Sequence, residues 1–167
     1  SGYYRDQTIL MAHDLLSPQQ LFAALYAHPD LKEEPMSGGR QMGAHFVTPS
    51  HDKEGNWLDL TQQYNHSSDI SPTAGQIPRS IGLAQASKVY RALGIPEGRN
   101  FSNNGNEIAW GTIGNASTSE GLFLEAMNAA GVLQIPLVMS VWDDGYGISV
   151  ANEDQTTKGS ISDALAG

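Results

Sequence analysis

The sequence contains no cysteine. That excludes a disulfide scaffold, thiolate zinc sites, iron–sulfur clusters and a cysteine nucleophile. It is also poor in basic charge: nine Lys and Arg stand against 18 Asp and Glu, a formal net charge of −9. Such a balance argues against nucleic acid or an anionic membrane surface as partner and leaves room for a local cationic pocket only. Long apolar runs are missing as well. The longest, residues 135–142, falls far short of the roughly 20 residues that cross a bilayer. Neither G-x-G-x-x-G nor a P-loop lysine occurs, which counts against a nucleotide-binding doubly wound domain. His45, His51 and His66 match no compact zinc spacing, and His45 reads best as a loop-stabilising residue.

What is present is glycine and proline, 18 and 8 of 167 residues, rich for an all-helical chain and suited to functional loops. The length fits one compact domain with a core. The chain opens Ser-Gly rather than Met, and stops where a helix capped by Ser160 has barely begun. Residues 1–167 are therefore expected to be a single domain or a fragment of one, cut from a larger protein. The formal glycosylation sequons at Asn65 and Asn115 are chance matches in a cysteine-free chain with no visible signal peptide.

Residues 4–15 read as a helix with Ile9, Leu10 and His13 at helical spacing. Ser17, Pro18 and Gln20 make a capping box with proline at the first helical position, opening a second helix to about His28. Residues 29–70 show little periodicity and form a long functional loop, in which the charged stretch 30–34 is most simply solvated. A long helix over 76–93 carries Leu83, Ala86, Tyr90 and Leu93 as an apolar stripe and ends at Gly94. A short buried strand is predicted over 107–111. Ser117 and Glu120 form a second capping box for a helix to about Leu133, with Phe123, Met127 and Ala130 on its core face. Residues 137–142 read as a buried strand. Strand, helix, strand at this length gives a βαβ unit, hence an α/β fold with a parallel sheet flanked by helices.

Ligands bind such units at the carboxyl ends of the strands. Two polar loops fall there, 111–117 and 143–147. The first runs into a helix N-terminus, which favours a phosphate; the second adds a carboxylate and carbonyls. Asn115, Asp144 and a backbone carbonyl are oxygen donors suited to Mg²⁺. On these residues alone, the simpler account is a structural glycine turn and an Asp-Gly turn.

Gly114-Asn115-Ala116, followed at a distance by Asp144-Gly145-Tyr146-Gly147, resembles the thiamine diphosphate motif, Gly-Asp-Gly then Asn-Asn. Four further blocks occur in the same order as in the alpha chains of thiamine diphosphate-dependent 2-oxo acid dehydrogenases. They are Tyr4-Arg5-Asp6, Gly39-Arg40-Gln41-Met42, the run from Ser71-Pro72-Thr73 to Gln76-Ile77-Pro78, and Glu125-Ala126-Met127-Asn128. The resemblance spans the whole chain and leans toward the branched-chain members.

The resemblance implies the thiamin diphosphate-binding fold, with thiamine diphosphate and Mg²⁺ as cofactors. It puts Asn115 at the family's acidic metal ligand and Asp144 at its asparagine ligand, an exchanged pair that leaves the charge facing the metal unchanged, with the Tyr146 carbonyl as third ligand. Gly114, Ala116 and Ser117 would line the diphosphate. Tyr4 and Arg5 would reach it from the opposite side, and Ser71 and Thr73 would hold the aminopyrimidine and thiazolium region. No catalytic residue is expected in this segment, because the family's activating glutamate comes from a beta chain or fused beta-like half. A small 2-oxo acid as substrate, a lipoyl-bearing acyltransferase as acceptor, an oligomeric assembly, and a cytoplasmic or organelle-matrix location follow from the same resemblance. Three departures stand out. Ala116 replaces the motif's second glycine, which requires a negative φ. Trp142 stands at an arginine position. Gly75 stands at a threonine position in the segment that holds potassium in branched-chain members, with Pro72 and Gln76 kept. A degenerate paralogue with an assembly role is the non-enzymatic alternative.

Overall fold

The computed structural model describes residues 2–40, 46–67, 70–95, 100–157 and 159–166, with side chains from Gln7 onward. Gln41, Met42 and His45 lie outside the described residues. The chain forms two compact units, residues 1–70 with 97–101, and residues 71–96 with 102–167. No helix among the described residues is long and apolar enough to cross a membrane.

The first unit begins with α1 (Gly2–Ala12) and α2 (Pro18–Leu25). The capping box is formed: Ser17 Oγ accepts the Gln20 N–H at 3.1 Å, and Gln20 Oε1 accepts the Ser17 N–H at 2.9 Å. Both helices stop about three residues before the predicted ends. Asp14 and Ala27 take positive φ, 56° and 53°. Each is followed by an N–H that reaches back five residues, Leu15 to the Leu10 carbonyl and His28 to the Ala23 carbonyl. Such left-handed ends usually carry glycine, so these two gave no sign in the sequence. Leu10, Leu16, Ala24 and Phe46 form the core of this unit.

Residues 29–40 and 46–67 hold turns, a bridge between His51 and Trp57, and a 3-10 turn at Leu60–Gln62. The His51 ring packs on Trp57 with centroids 3.8 Å apart. Glu34 corrects the picture of a solvated 30–34 stretch, because it is buried. Burial pushes its carboxyl up, and hydrogen bonds from the Ser37 hydroxyl and the N–H groups of Gly39, Met36 and Ser37 outweigh that and hold it below the usual range. A carboxylate inside a loop thus does the work of a core, satisfying donors that would otherwise lack partners.

The second unit is α/β, as the sequence predicts. Strands β1 (Ala109–Gly114) and β2 (Leu137–Trp142) pair in parallel, from Ala109 opposite Leu137 to Gly114 opposite Trp142. Between them runs α4 (Gly121–Leu133), and α3 (Ile77–Leu93) packs against α4 and β1. The core is Ala74, Ile77, Ile113, Phe123 and Ala126, flanked by Ile81, Met127, Met139 and Val141. Full burial of Phe123 contributes roughly 1.5–3 kcal/mol.

Three expectations need correction. The buried line of α3 is Ile77, Ser80, Ala84 and Ser87, while Leu83 and Leu93 of the predicted stripe are exposed. Strand β1 starts two residues later than predicted, and Ile108 and Trp110 are exposed. Ser117 does not cap a helix: Ala116–Ser119 form a 3-10 turn, and α4 starts at Gly121 behind Glu120, with no side-chain cap. After β2 the chain makes a hairpin, β3 (Tyr146–Gly147) with β4 (Val150–Ala151), then α5 (Asn152–Gln155) and α6 (Ile161–Ala164).

Candidate functional site

Parallel pairing carries the ends of β1 and β2 to the same edge, where the Asn115 N–H donates to the Trp142 carbonyl at 3.2 Å and extends the ladder by one step. The polypeptide then diverges into the 116–119 turn on one side and the 143–152 segment on the other. Asn115 is buried at this fork, 4% exposed. Its Nδ2 donates to the Tyr146 carbonyl at 3.0 Å and to Asn152 Oδ1 at 2.5 Å. The Thr118 hydroxyl and N–H both donate to the Asn115 carbonyl, at 2.6 and 3.0 Å.

The other side is ordered by carboxylates. Asp144 Oδ1 accepts the Tyr146 N–H at 3.1 Å, and Asp143 Oδ1 accepts the Gly145 N–H at 2.9 Å. Asn152 Nδ2 donates to Asp143 Oδ1 at 2.8 Å. Gly145 has φ 83°, a conformation that L side chains rarely adopt, and this lets the chain reverse between the two carboxylates and Tyr146.

The structure joins two of the three groups that the sequence singled out as metal donors, the Asn115 amide and the Tyr146 carbonyl, while the Asp144 carboxylate meets the Tyr146 N–H instead. The three supply an amide, a carboxylate and a carbonyl, a donor set that suits a hard divalent cation. The Asn115 group facing Tyr146 is its nitrogen, so Oδ1 would have to turn inward to hold an ion. Among the described residues Asp143 and Asp144 make this face anionic, and a diphosphate there needs a cation between. Gly114, Ala116 and Ser117 line the adjoining turn. Because it is a 3-10 turn, its own N–H groups rather than the start of α4 would meet a phosphate. Ala116 is not among the positive-φ residues, which satisfies the condition set by its replacing glycine.

Ser71 and Thr73 sit in the turn that precedes α3, both exposed. In the same turn Gln76 Oε1 is buried without a hydrogen-bond partner, an oxygen donor on offer in the segment that the resemblance links to potassium. Tyr4 and Arg5 belong to α1, and their side chains lie outside the described set. Sequence reasoning missed Asn152. No local motif marks it; a hairpin folds it back beside Gly145, whose carbonyl accepts the Asn152 N–H at 3.0 Å.

A parallel strand–helix–strand unit with polar turns at both strand ends is the ligand-binding arrangement of open α/β proteins. The family model for the dehydrogenase E1 component matches residues 1–167, and the chain belongs to that family. It is 27% identical over 166 residues to the 2-oxoisovalerate dehydrogenase subunit alpha of Bacillus subtilis, covering 99% of this chain and 41% of that protein. The mitochondrial 2-oxoisovalerate dehydrogenase subunit alpha of Homo sapiens is 29% identical over 154 residues, and that of Mus musculus 30% over 155, each covering 92% of this chain and 28% of the relative. The chain thus spans well under half the length of these relatives.

Proposed function

We propose that this chain is the diphosphate-anchoring part of a thiamine diphosphate-dependent 2-oxo acid dehydrogenase of the branched-chain type. The observation that supports the reading is the bond from Asn115 Nδ2 to the Tyr146 carbonyl, next to the turn that Asp144 orders, at the carboxyl edge of a parallel strand pair in a member of the E1 family. Asn115 Oδ1, the Asp144 carboxylate and the Tyr146 carbonyl would hold Mg²⁺. Gly114, Ala116 and Ser117 would line the diphosphate, Tyr4 and Arg5 would approach it from across, and Ser71 and Thr73 would hold the rings. When bound, thiamine diphosphate supplies the carbanion chemistry that decarboxylates a 2-oxo acid. This chain's own residues bind and orient the diphosphate end, and none of them is assigned a catalytic step. A beta chain or fused beta-like half completes the site, and a lipoyl-bearing acyltransferase receives the acyl group. The names of the relatives support a branched-chain 2-oxo acid as substrate, and a cytoplasmic or matrix oligomer as the working form.

A second reading has one observation in its favour: the side-chain Nδ2 of Asn115, not its oxygen, faces the Tyr146 carbonyl. A non-catalytic paralogue would keep that arrangement permanently. The two are separated by titrating the intact protein, with any companion chain, with thiamine diphosphate and Mg²⁺ while following tryptophan fluorescence, since Trp142 ends β2 beside Asp143. Saturable quenching that EDTA reverses, and that weakens at least tenfold in Asn115→Ala and Asp144→Ala, is expected. A flat titration of folded protein, confirmed by calorimetry, would refute the cofactor reading.

A further inference from the structure

The hydrogen bonds around Asn115 have a direction that can be read from one end. A carboxylate only accepts, so the group of Asn152 that lies 2.8 Å from Asp143 Oδ1 is its amide nitrogen. Asn152 therefore turns its oxygen toward Asn115. With that oxygen on one side and the Tyr146 carbonyl on the other, the Asn115 group between them must be the double donor, –NH₂. Asn152 is itself held by its N–H on the Gly145 carbonyl. An ion shared by Asn115, Asp144 and Tyr146 needs the Asn115 oxygen, so the amide must turn over and give up both bonds. A carboxylate at position 115 could never make them: it would face two oxygens with nothing positive between.

We infer that Asn115 and Asn152 form an amide latch that closes the 143–152 segment without a cation, with Asn152 as the positioning residue that sets the latch's polarity. The inference deepens the function proposed above and rests on it only for the cation that replaces the latch. In the latched state one N–H of Asn115 presents positive hydrogen to the Tyr146 carbonyl, as a cation held there would present its charge, and the other holds Asn152 Oδ1. Order in this segment then belongs to the protein's own amides when metal is scarce, and loading becomes an exchange of one closure for another.

The test is hydrogen exchange of peptides covering 143–152, measured on the intact assembly in EDTA and again in Mg²⁺ with thiamine diphosphate. Wild type is expected to be protected to within about twofold in both conditions. Asn152→Ala should exchange about tenfold faster in EDTA, the factor for one buried hydrogen bond of ordinary net strength, and return to the wild-type rate with Mg²⁺ and thiamine diphosphate. Asn115→Asp should show the same cation dependence. Asn152→Asp keeps the acceptor for Asn115 and loses the donor to Asp143; it should also exchange faster in EDTA and serves if the alanine variant does not fold. Protection of the wild-type segment only after metal is added would overturn the inference. So would wild-type rates for the Asn152 variants in EDTA. Fast exchange of Asn152→Ala that persists while calorimetry reports bound cofactor would show a merely structural role. Absence of calorimetric binding in wild type would sink the functional reading instead, while the ligand-free comparison in EDTA still decides the latch.

Discussion

Gly147 and Ala116 face one another across a space that admits a single Cβ. A Cβ built on Gly147 would lie 2.4 Å from the Ala116 Cβ, 2.7 Å from Gln155 Nε2 and 2.9 Å from Gln155 Oε1. Carbons in contact rest at about 3.5–4.0 Å, so the overlap with Ala116 exceeds 1 Å. Gln155 can swing away on its torsions, at the loss of its bond to the Val150 carbonyl. The Ala116 methyl has no torsion that moves it, so the 116–119 turn or the hairpin must shift. Overpacking of this kind costs about 1–3 kcal/mol. Gly147 does not have positive φ, so alanine meets no backbone strain there and gains about 0.4–1 kcal/mol through the unfolded chain. The net expectation for Gly147→Ala is a loss of about 1–2 kcal/mol in urea unfolding. Ala116→Gly alone should cost about 0.5–1 kcal/mol. Combined, the two should be less destabilising than their sum by about 1–2 kcal/mol, since the glycine vacates the space the alanine needs. Additivity to within 0.5 kcal/mol would refute the shared-space argument. The same geometry explains why this chain tolerates alanine at the motif's second glycine: an ordinary φ, and room made by Gly147.

Glu34 sets an acid limit on stability. Its folded-state pKa lies below the ordinary 4.5, so its contribution is complete above that value and is lost as pH falls through the lowered one. Wild-type unfolding midpoints should drop more steeply below pH 4.5 than those of Glu34→Gln, and Glu34→Ala should cost about 1–3 kcal/mol at neutral pH by stranding its donors. Gln134 closes α4 with φ 48° and is exposed, so Gln134→Gly should raise stability by about 0.5–1 kcal/mol in thermal or urea unfolding. Potassium should raise the Tm of wild type, and not of Gln76→Met. In potassium-free buffer that variant should be the more stable by about 1 kcal/mol, because it removes a buried acceptor without a partner.

Strands and helices were legible wherever burial is signalled by large apolar side chains. The Phe123 face of α4 is such a case; the run 137–142 marks a strand and with it the parallel βαβ unit, but the expected burial fails, since no residue of β2 is fully buried and Val138 and Trp142 are exposed. Helix α3 was misread for the opposite reason. Its buried line holds Ser80, Ala84 and Ser87, small residues with little hydropathy, whereas Leu83 and Leu93 are exposed. Small side chains let a neighbour approach closely: a Cβ on Gly105 would stand 2.1 Å from the Ser87 carbonyl. Close approach leaves no apolar stripe to count. Helix ends at Ala12 and Leu25 were overshot because Asp14 and Ala27, not glycine, take the left-handed position.

The site divides along the same line. Asn115, Asp144 and Tyr146 could be singled out as candidates because a local motif carries them, but Asn152 depends on a hairpin that the sequence conceals. A two-residue hairpin with positive φ at its first central position ordinarily has glycine there. Here that residue is Ile148, at φ 59° and fully exposed. Nothing in Gly147-Ile148-Ser149-Val150 therefore announces a reversal. Yet the reversal sets Tyr146 opposite Ala151, which places Asn152 beside Gly145 and within reach of both Asn115 and Asp143. A β-branched residue held at positive φ is strained, and what offsets the strain is visible: the Asn152 side chain bonds on both sides and its N–H bonds to Gly145. The hairpin and the latch therefore depend on each other, which is why a residue with no motif of its own comes to orient the one that has it.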